Sequence, residues 1–380
     1  MFNAGKQLRC FYLKINLIHK DFKMPLKRIF TLMKQLITIA CILLMAACKE
    51  QAYNEHGSLV IGHGQMPNIS TGPSNALYVV YGTGDSIMIS SSADGGNSFG
   101  APAAAVVLSD LAASHSRGPQ LTATAKGLCM IACNNAGDIF SWHTDSTGKW
   151  SGATKVNDVD TVAKEGFTAL SADGNNVFAV WLDLRDKHNK IYGAKSADGG
   201  KSWSANELIY ASPDTTVYEC CKPSVAVKGN HVYVMFRNWL DGKRDMYLIQ
   251  SADGGKHFGQ ATKLGAGSWK LDGCPVDGAV AVRDDGKVET VWRRGREIFS
   301  CRPGEAEQMI GEGRSCTMAT THGKNIYAWV EQGEVVCLLP NGKKEVLGKG
   351  KLPLVKAVDH QKAICIWEHE KQIHSKVLSL

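Results

Sequence analysis

The chain lacks the runs and motifs that mark several large protein classes. The apolar stretch at residues 36–47 holds about a dozen residues, and a helix that crosses a bilayer takes roughly 20. No Walker phosphate loop and no His-Glu-x-x-His occurs anywhere, which removes the common nucleotide and zinc-protease signatures. Few helical segments are evident. The folded body also lacks net charge. The formal +7 arises in residues 1–47, which carry eight Lys/Arg and one acid; the remainder holds 35 of each sign. A body without net positive charge has little electrostatic basis for nucleic-acid binding, so no nucleic-acid partner is expected.

The amino-terminal segment reads as an address. Met33-Lys34 precedes the apolar stretch, which ends Leu44-Met45-Ala46-Ala47-Cys48. A short apolar region closed by small residues suits a secretion signal. Small residues directly before a cysteine resemble a bacterial lipobox, with Met45 where leucine is usual. That resemblance implies lipidation at Cys48 and an exported protein held at the outer membrane, periplasmic or at the cell surface. Met24 and Met33 are alternative starts of translation to Met1. An ordinary cleaved signal is the other reading. Residues 1–48 are thus the leader, 49–56 a short linker and 57–380 the folded body.

Twelve cysteines are present, nine of them beyond Cys48. Disulfides persist outside the cytoplasm. Cys129, Cys301, Cys337 and Cys365 lie in apolar runs and read as buried thiols. Cys220, Cys221 and Cys274 are different, because they flank loop motifs. A structural disulfide among the three, a rigid ligand platform, or a metal site would each use them. A zinc site wants about four ligands and no histidine partner is evident, so no metal and no cofactor is expected.

Glycine is abundant at 39 residues, and one phrase recurs. Ser92-Ala93-Asp94-Gly95-Gly96-Asn97-Ser98-Phe99 returns as Ser196-Ala197-Asp198-Gly199-Gly200-Lys201-Ser202-Trp203 and as Ser251-Ala252-Asp253-Gly254-Gly255-Lys256-His257-Phe258. A weaker copy surrounds Asp145. Successive aspartates are 51, 53 and 55 residues apart. A period near 50 with extended flanks indicates a radial β array. Asp accepts N–H bonds from its own turn and glycine takes φ > 0 freely, so each copy is a hairpin turn with its aromatic laid on a neighbouring sheet. Second strands recur at residues 76–81, 128–132, 177–181, 232–236, 288–292, 326–330 and 363–367. The expected fold is all-β, a β-propeller of seven blades, or six if one short unit is not a blade. Residues 57–61 complete the last sheet, so both termini close the ring.

The repeat resembles the Asp-box of bacterial sialidases (neuraminidases), Ser-x-Asp-x-Gly-x-x-Trp/Phe. The resemblance implies a propeller whose boxes stabilise turns away from the active face, and a glycosidase that holds its substrate's carboxylate with arginines. The family has six blades, and its first arginine lies where this chain reads Met66-Pro67-Asn68-Ile69; Arg117-Gly118-Pro119 is a partial echo one unit later.

In a propeller, the loops that enter the innermost strand and those that leave the second strand converge at one end of the channel. Ionisable groups gather at those places. Arg117, Glu165, Glu219 and Asp277 precede innermost strands; Trp181, Asp183, Arg185, Arg237, Arg244 and Arg293 follow second strands. Guanidinium groups bind carboxylates bidentately, and paired carboxylates suit glycosidic cleavage. Asp183, Glu219, Asp277 and Glu165 are therefore the candidate catalytic carboxylates. Arg117, Arg185, Arg237, Arg244 and Arg293 are candidates to clamp an acidic sugar, with Trp181 stacking on it. Tyr218, beside Glu219, is the candidate for the family's nucleophilic tyrosine. The function expected is a sialidase-like exo-glycosidase acting on acidic glycans; the alternative is a propeller that binds glycan or protein without catalysis.

Overall fold

A computed structural model of the chain describes residues 57–72, 75–217, 221–270 and 275–380. Among them are 28 β-strands arranged as seven antiparallel four-stranded sheets. Each sheet is a blade built in chain order from the channel outwards. The innermost strands are Gln65–Thr71, Gln120–Thr124, Thr168–Asp173, Ser224–Lys228, Ala279–Val282, Arg314–Thr321 and Lys351–Ala357, for blades 1 to 7. The second strands are Leu77–Thr83, Gly127–Cys133, Asn176–Asp183, His231–Leu240, Val288–Arg294, Lys324–Glu331 and Lys362–His369. Blade 7 is completed by Leu59–His63, which pairs antiparallel with Gln372–Ser379 as its outermost strand. The count is therefore seven rather than six, and the amino-terminal strand closes the ring as its sequence suggested.

Second strands are mainly apolar in their central positions because both faces of each blade are covered by neighbours. Gly127–Cys133 is buried at every position. The buried side chains form seven clusters, one for each interface between adjacent blades. Phe178, Val180 and Leu182 of blade 3 meet Val232, Val234 and Phe236 of blade 4, for example. Ala328, Val330 and Cys337 of blade 6 meet Cys365 and Trp367 of blade 7. Cys129, Cys301, Cys337 and Cys365 are buried free thiols, as the apolar runs around them implied.

The Ser-Ala-Asp turns carry the contact between blades on the side opposite the loops considered above. Asp198 Oδ1 accepts from the backbone N–H of Lys201 and of Ser202, both at 3.0 Å, and from Ser196 Oγ at 2.7 Å. Asp94 and Asp253 repeat the pattern. Burial alone would raise the Asp198 carboxyl, but hydrogen bonds from Ser202, Ser196 and Lys201 outweigh it and bring it down to about 2. The second glycine of each turn lies against the preceding blade. A methyl on Gly200, at φ +91°, would stand 2.3 Å from Cys129 Sγ, and one on Gly255 2.2 Å from the Phe178 ring. The aromatic follows the glycine inward: Trp203 donates its indole N–H to Ser141 Oγ at 2.8 Å, and Phe258 meets Phe178 edge-on at 5.9 Å.

Gly200→Ala combines positive-φ strain with a core clash, so it is expected to cost about 2–4 kcal/mol. Gly286→Ala, at φ +81° with open space around it, should cost about 1 kcal/mol. Urea denaturation of both variants checks this; equal losses would mean that the glycine does not seat the blade.

Candidate functional site at the channel mouth

The rim carboxylates and arginines fold into three separate groups, and most are consumed by the architecture. Asp183 ends the second strand of blade 3 and is wholly buried. Its Oδ1 accepts from the Arg185 backbone N–H and from Arg185 Nε, both at 2.9 Å, and its Oδ2 from Arg185 Nη2 at 3.0 Å and from the Trp181 indole at 2.8 Å. Arg185 lies on the Tyr192 ring at 4.0 Å and reaches Asp158 and Asn206 of the neighbouring outer loops. This corrects three expectations. Asp183 has no surface to offer a substrate, Arg185 is already neutralised, and Trp181 is blade core.

A second group lies between blades 2 and 3. Arg117 is half-buried with its guanidinium 5.7 Å from the Phe167 ring, and it packs over Gly166, next to the half-buried Glu165. Neither Arg117 nor Glu165 lines the channel cavity described below.

The third group joins blades 4 and 5. Arg237 is 2% exposed; its Nη1 donates to the Arg244 carbonyl at 2.8 Å and its Nη2 to the Arg293 carbonyl at 2.9 Å. Arg244 is buried against Trp239. Both expected clamps are thus interior struts, which is a further correction. Arg293 keeps 20% of its side chain exposed and binds Asp277 through Nε at 2.8 Å. Trp269, in the loop before blade 5, lies 5.2 Å from the Arg237 guanidinium and 5.5 Å from that of Arg293. It is anchored by its own N–H on Asp245. Cys221 is a free thiol that donates to the Pro275 carbonyl at 3.2 Å, so the expected bridge does not involve it; burial pushes that thiol up to about 12. Tyr218, Glu219, Cys220 and Cys274 lie outside the described residues, as does Cys48.

The innermost strands of all seven blades enclose a cavity of about 210 Å³ at the channel mouth. Its apolar wall includes Met66, Val276 and Leu354; its polar wall includes Asn68, Gln120, Lys222, Asp277, Ser315 and Thr317. Three innermost strands begin with a bulge, and Met66, Ser315 and Leu352 hold φ of 58°, 56° and 54° there. Such backbone costs about 1–3 kcal/mol each, and the surroundings must hold it. Buried carboxylates of the preceding blade hold two of the three: Met66 N–H donates to Glu368 Oε2 at 3.0 Å, and Ser315 N–H to Asp277 Oδ2 at 2.9 Å. Asp277 therefore has one oxygen in structural use. Its Oδ1 is buried and accepts no hydrogen bond among the described residues.

Lys222 is the other unusual group. Its Nζ donates to Gln120 Oε1 at 3.0 Å, from blade 4 across to blade 2. Lys222 is half-buried on the cavity wall, and desolvation by the surrounding protein lowers its ammonium to about 8. Lys222, Asn68, Gln120 and Trp269 had not been singled out from the sequence. The available signal was position: Lys222 stands directly before Pro223 at the head of an innermost strand, and Trp269 lies in an incoming loop rather than in a strand.

No protein-family model and no curated protein matches this chain. Solved structures do. The BP39L lectin from Burkholderia pseudomallei is similar at a TM-score of 0.60 with 10% identity, over 84% of this chain and 96% of that one. An ulvan lyase bound to -[GlcA(1-4)Rha3S]- is similar at 0.53 and 11%, over 84% and 94%. A leech intramolecular trans-sialidase is similar at 0.43 and 11%, over 83% and 68%. At these identities the shared feature is the propeller itself. Fold and mouth together define the class: a seven-bladed β-propeller with a small cavity of apolar and polar walls at the head of its channel.

Removing one partner of a buried pair costs about 3–5 kcal/mol. Asp183→Ala is accordingly expected to lose about that much in chemical denaturation. A variant as stable as the parent would mean that Asp183 is not a structural clamp.

Proposed function

We propose that this propeller is an exported glycan-recognition protein that takes a sugar unit of an acidic glycan into its channel mouth. The observation that carries the reading is Asp277 Oδ1, a buried acceptor without a partner among the described residues, on the wall of a cavity with apolar and polar sides. A sugar offers the matching surface, with hydroxyls for such an acceptor and C–H faces for Met66, Val276 and Leu354. The likeness to a lectin and to a polysaccharide lyase is consistent with this use of the fold, although propellers host many functions.

Hydrolysis, as a sialidase-like exo-glycosidase, is the finer reading. Asp277 supports it, because one oxygen is anchored by Arg293 and Ser315 while the other accepts no hydrogen bond among the described residues. Glu219 is the candidate second carboxylate. Asp183 no longer belongs to this set. Anchoring at Cys48 is part of the proposal: Cys48→Ser should move the protein from the membrane fraction to the soluble periplasmic or secreted fraction, and unchanged membrane association would refute the lipid anchor.

The direct test incubates the body from residue 49 onward with a mixed sialoglycan and polyuronate preparation, reading both retention on immobilised glycan and release of free acidic sugar. Retention that Asp277→Asn weakens at least tenfold supports recognition at the mouth. Release that the same variant abolishes adds the hydrolytic reading. Neither retention nor release, by protein shown to be folded, would overturn the proposal.

A further inference from the structure

We infer that Lys222 is the seat for the anionic group of the ligand, and that it makes binding depend on the charge of the sugar and on pH. The inference rests on the carbohydrate reading for the identity of the ligand, but the geometry of the seat stands independently of it.

Gln120 fixes the orientation of this seat. Its Nε2 donates to the carbonyls of Gly118 and Pro119, each at 3.0 Å. Both N–H groups of the amide are thereby spent on carbonyls, so Oε1 must face the cavity. There it accepts from Lys222 Nζ at 3.0 Å and from Asn68 Nδ2 at 3.3 Å. Asn68 is locked in turn, because its Oδ1 accepts from the Leu121 N–H at 3.1 Å. An ammonium has three N–H donors, and the described residues take up one of them.

No carboxylate among the described residues forms an ion pair with Lys222. Asp277 is the carboxylate lining the same cavity, and its Oδ2 is committed to Arg293 and Ser315. The other titratable group on the wall is the Cys316 thiol, which burial pushes well above its ordinary value. Asn68, Gln120, Ser224, Ser315 and Thr317 are neutral. A desolvated charge with no counterion is costly, and an anion that enters the mouth removes that cost. An ammonium acts as a point charge rather than a planar fork, so it receives a carboxylate or a phosphate oxygen equally well. In an acidic glycan the carboxylate of the sugar is the group within reach.

The sign of the pH dependence follows. The bound carboxylate favours the charged amine, so affinity is full below about 8 and falls as the pH rises through that value.

Isothermal titration with N-acetylneuraminate, glucuronate, glucose and inorganic phosphate tests the inference, on wild-type protein and on Lys222→Met and Lys222→Gln. Lys222→Met removes an uncompensated charge and should melt no lower than wild type; Lys222→Gln keeps a donor toward Gln120 and serves if the first variant does not fold. At pH 6.5 an acidic sugar should bind at least tenfold more tightly than glucose. That preference should vanish in both variants, and in wild type it should shrink at least tenfold at pH 9.5. An acidic sugar bound no better than glucose, or bound equally by the variants, overturns the inference while leaving carbohydrate recognition standing. Phosphate bound by wild type alone, with no sugar bound by any form, supports the anion seat and removes the carbohydrate reading. No binding of any probe removes both.

Discussion

The innermost strand of each blade has no neighbour on its channel side, and most of what surrounds the channel follows from that open edge. Its backbone N–H groups need acceptors that no strand supplies. The preceding blade supplies them from side chains. Leu121 N–H donates to Asn68, Val227 N–H to Ser171 and Val280 N–H to Ser224. At two of the three strained bulges a carboxylate takes the part, Glu368 for Met66 and Asp277 for Ser315. These links join five of the seven neighbouring pairs of blades along the inner ring, while the seven apolar clusters and the Ser-Ala-Asp turns tie the outer parts.

This demand decides which polar groups remain for a ligand. Arg237 is spent on two carbonyls, Asp183 and Arg185 on each other, and one oxygen of Asp277 on a bulge. Among the described residues, the second oxygen of Asp277 and the ammonium of Lys222 are left with capacity at the mouth. Their residues line the same cavity and carry opposite charge, which suits a ligand with both hydroxyl and acidic groups. Function on this account occupies what the architecture does not use.

The sequence makes the architecture readable because repetition exposes it. A turn that recurs every fifty-odd residues, with apolar runs between, fixes blade, strand order and closure with no knowledge of distant contacts. The site is harder to read. Trp181-Leu182-Asp183-Leu184-Arg185 looks like an exposed rim, yet Asp158 and Asn206 arrive from other loops and complete a closed clamp. Arg237 looks like a clamp because its strand runs on towards the rim, but the carbonyls of Arg244 and Arg293 hold it inside. Lys222 carries no motif at all. Its significance depends on Gln120, which is 102 residues away and two blades distant. Local spacing conveys turns and strands, whereas the free valence of a side chain depends on partners that only the closed ring brings near.

The most direct test of this account is the titration of Lys222 itself, followed by the carbon resonance beside its amine in protein labelled at lysine. The account predicts an apparent pKa of about 8 in the free protein, rising when an acidic sugar is added and unmoved by a neutral one. A titration at the ordinary lysine value near 10.4, indifferent to either sugar, would show that the ammonium is solvated or already paired, and would contradict the channel mouth as an anion seat.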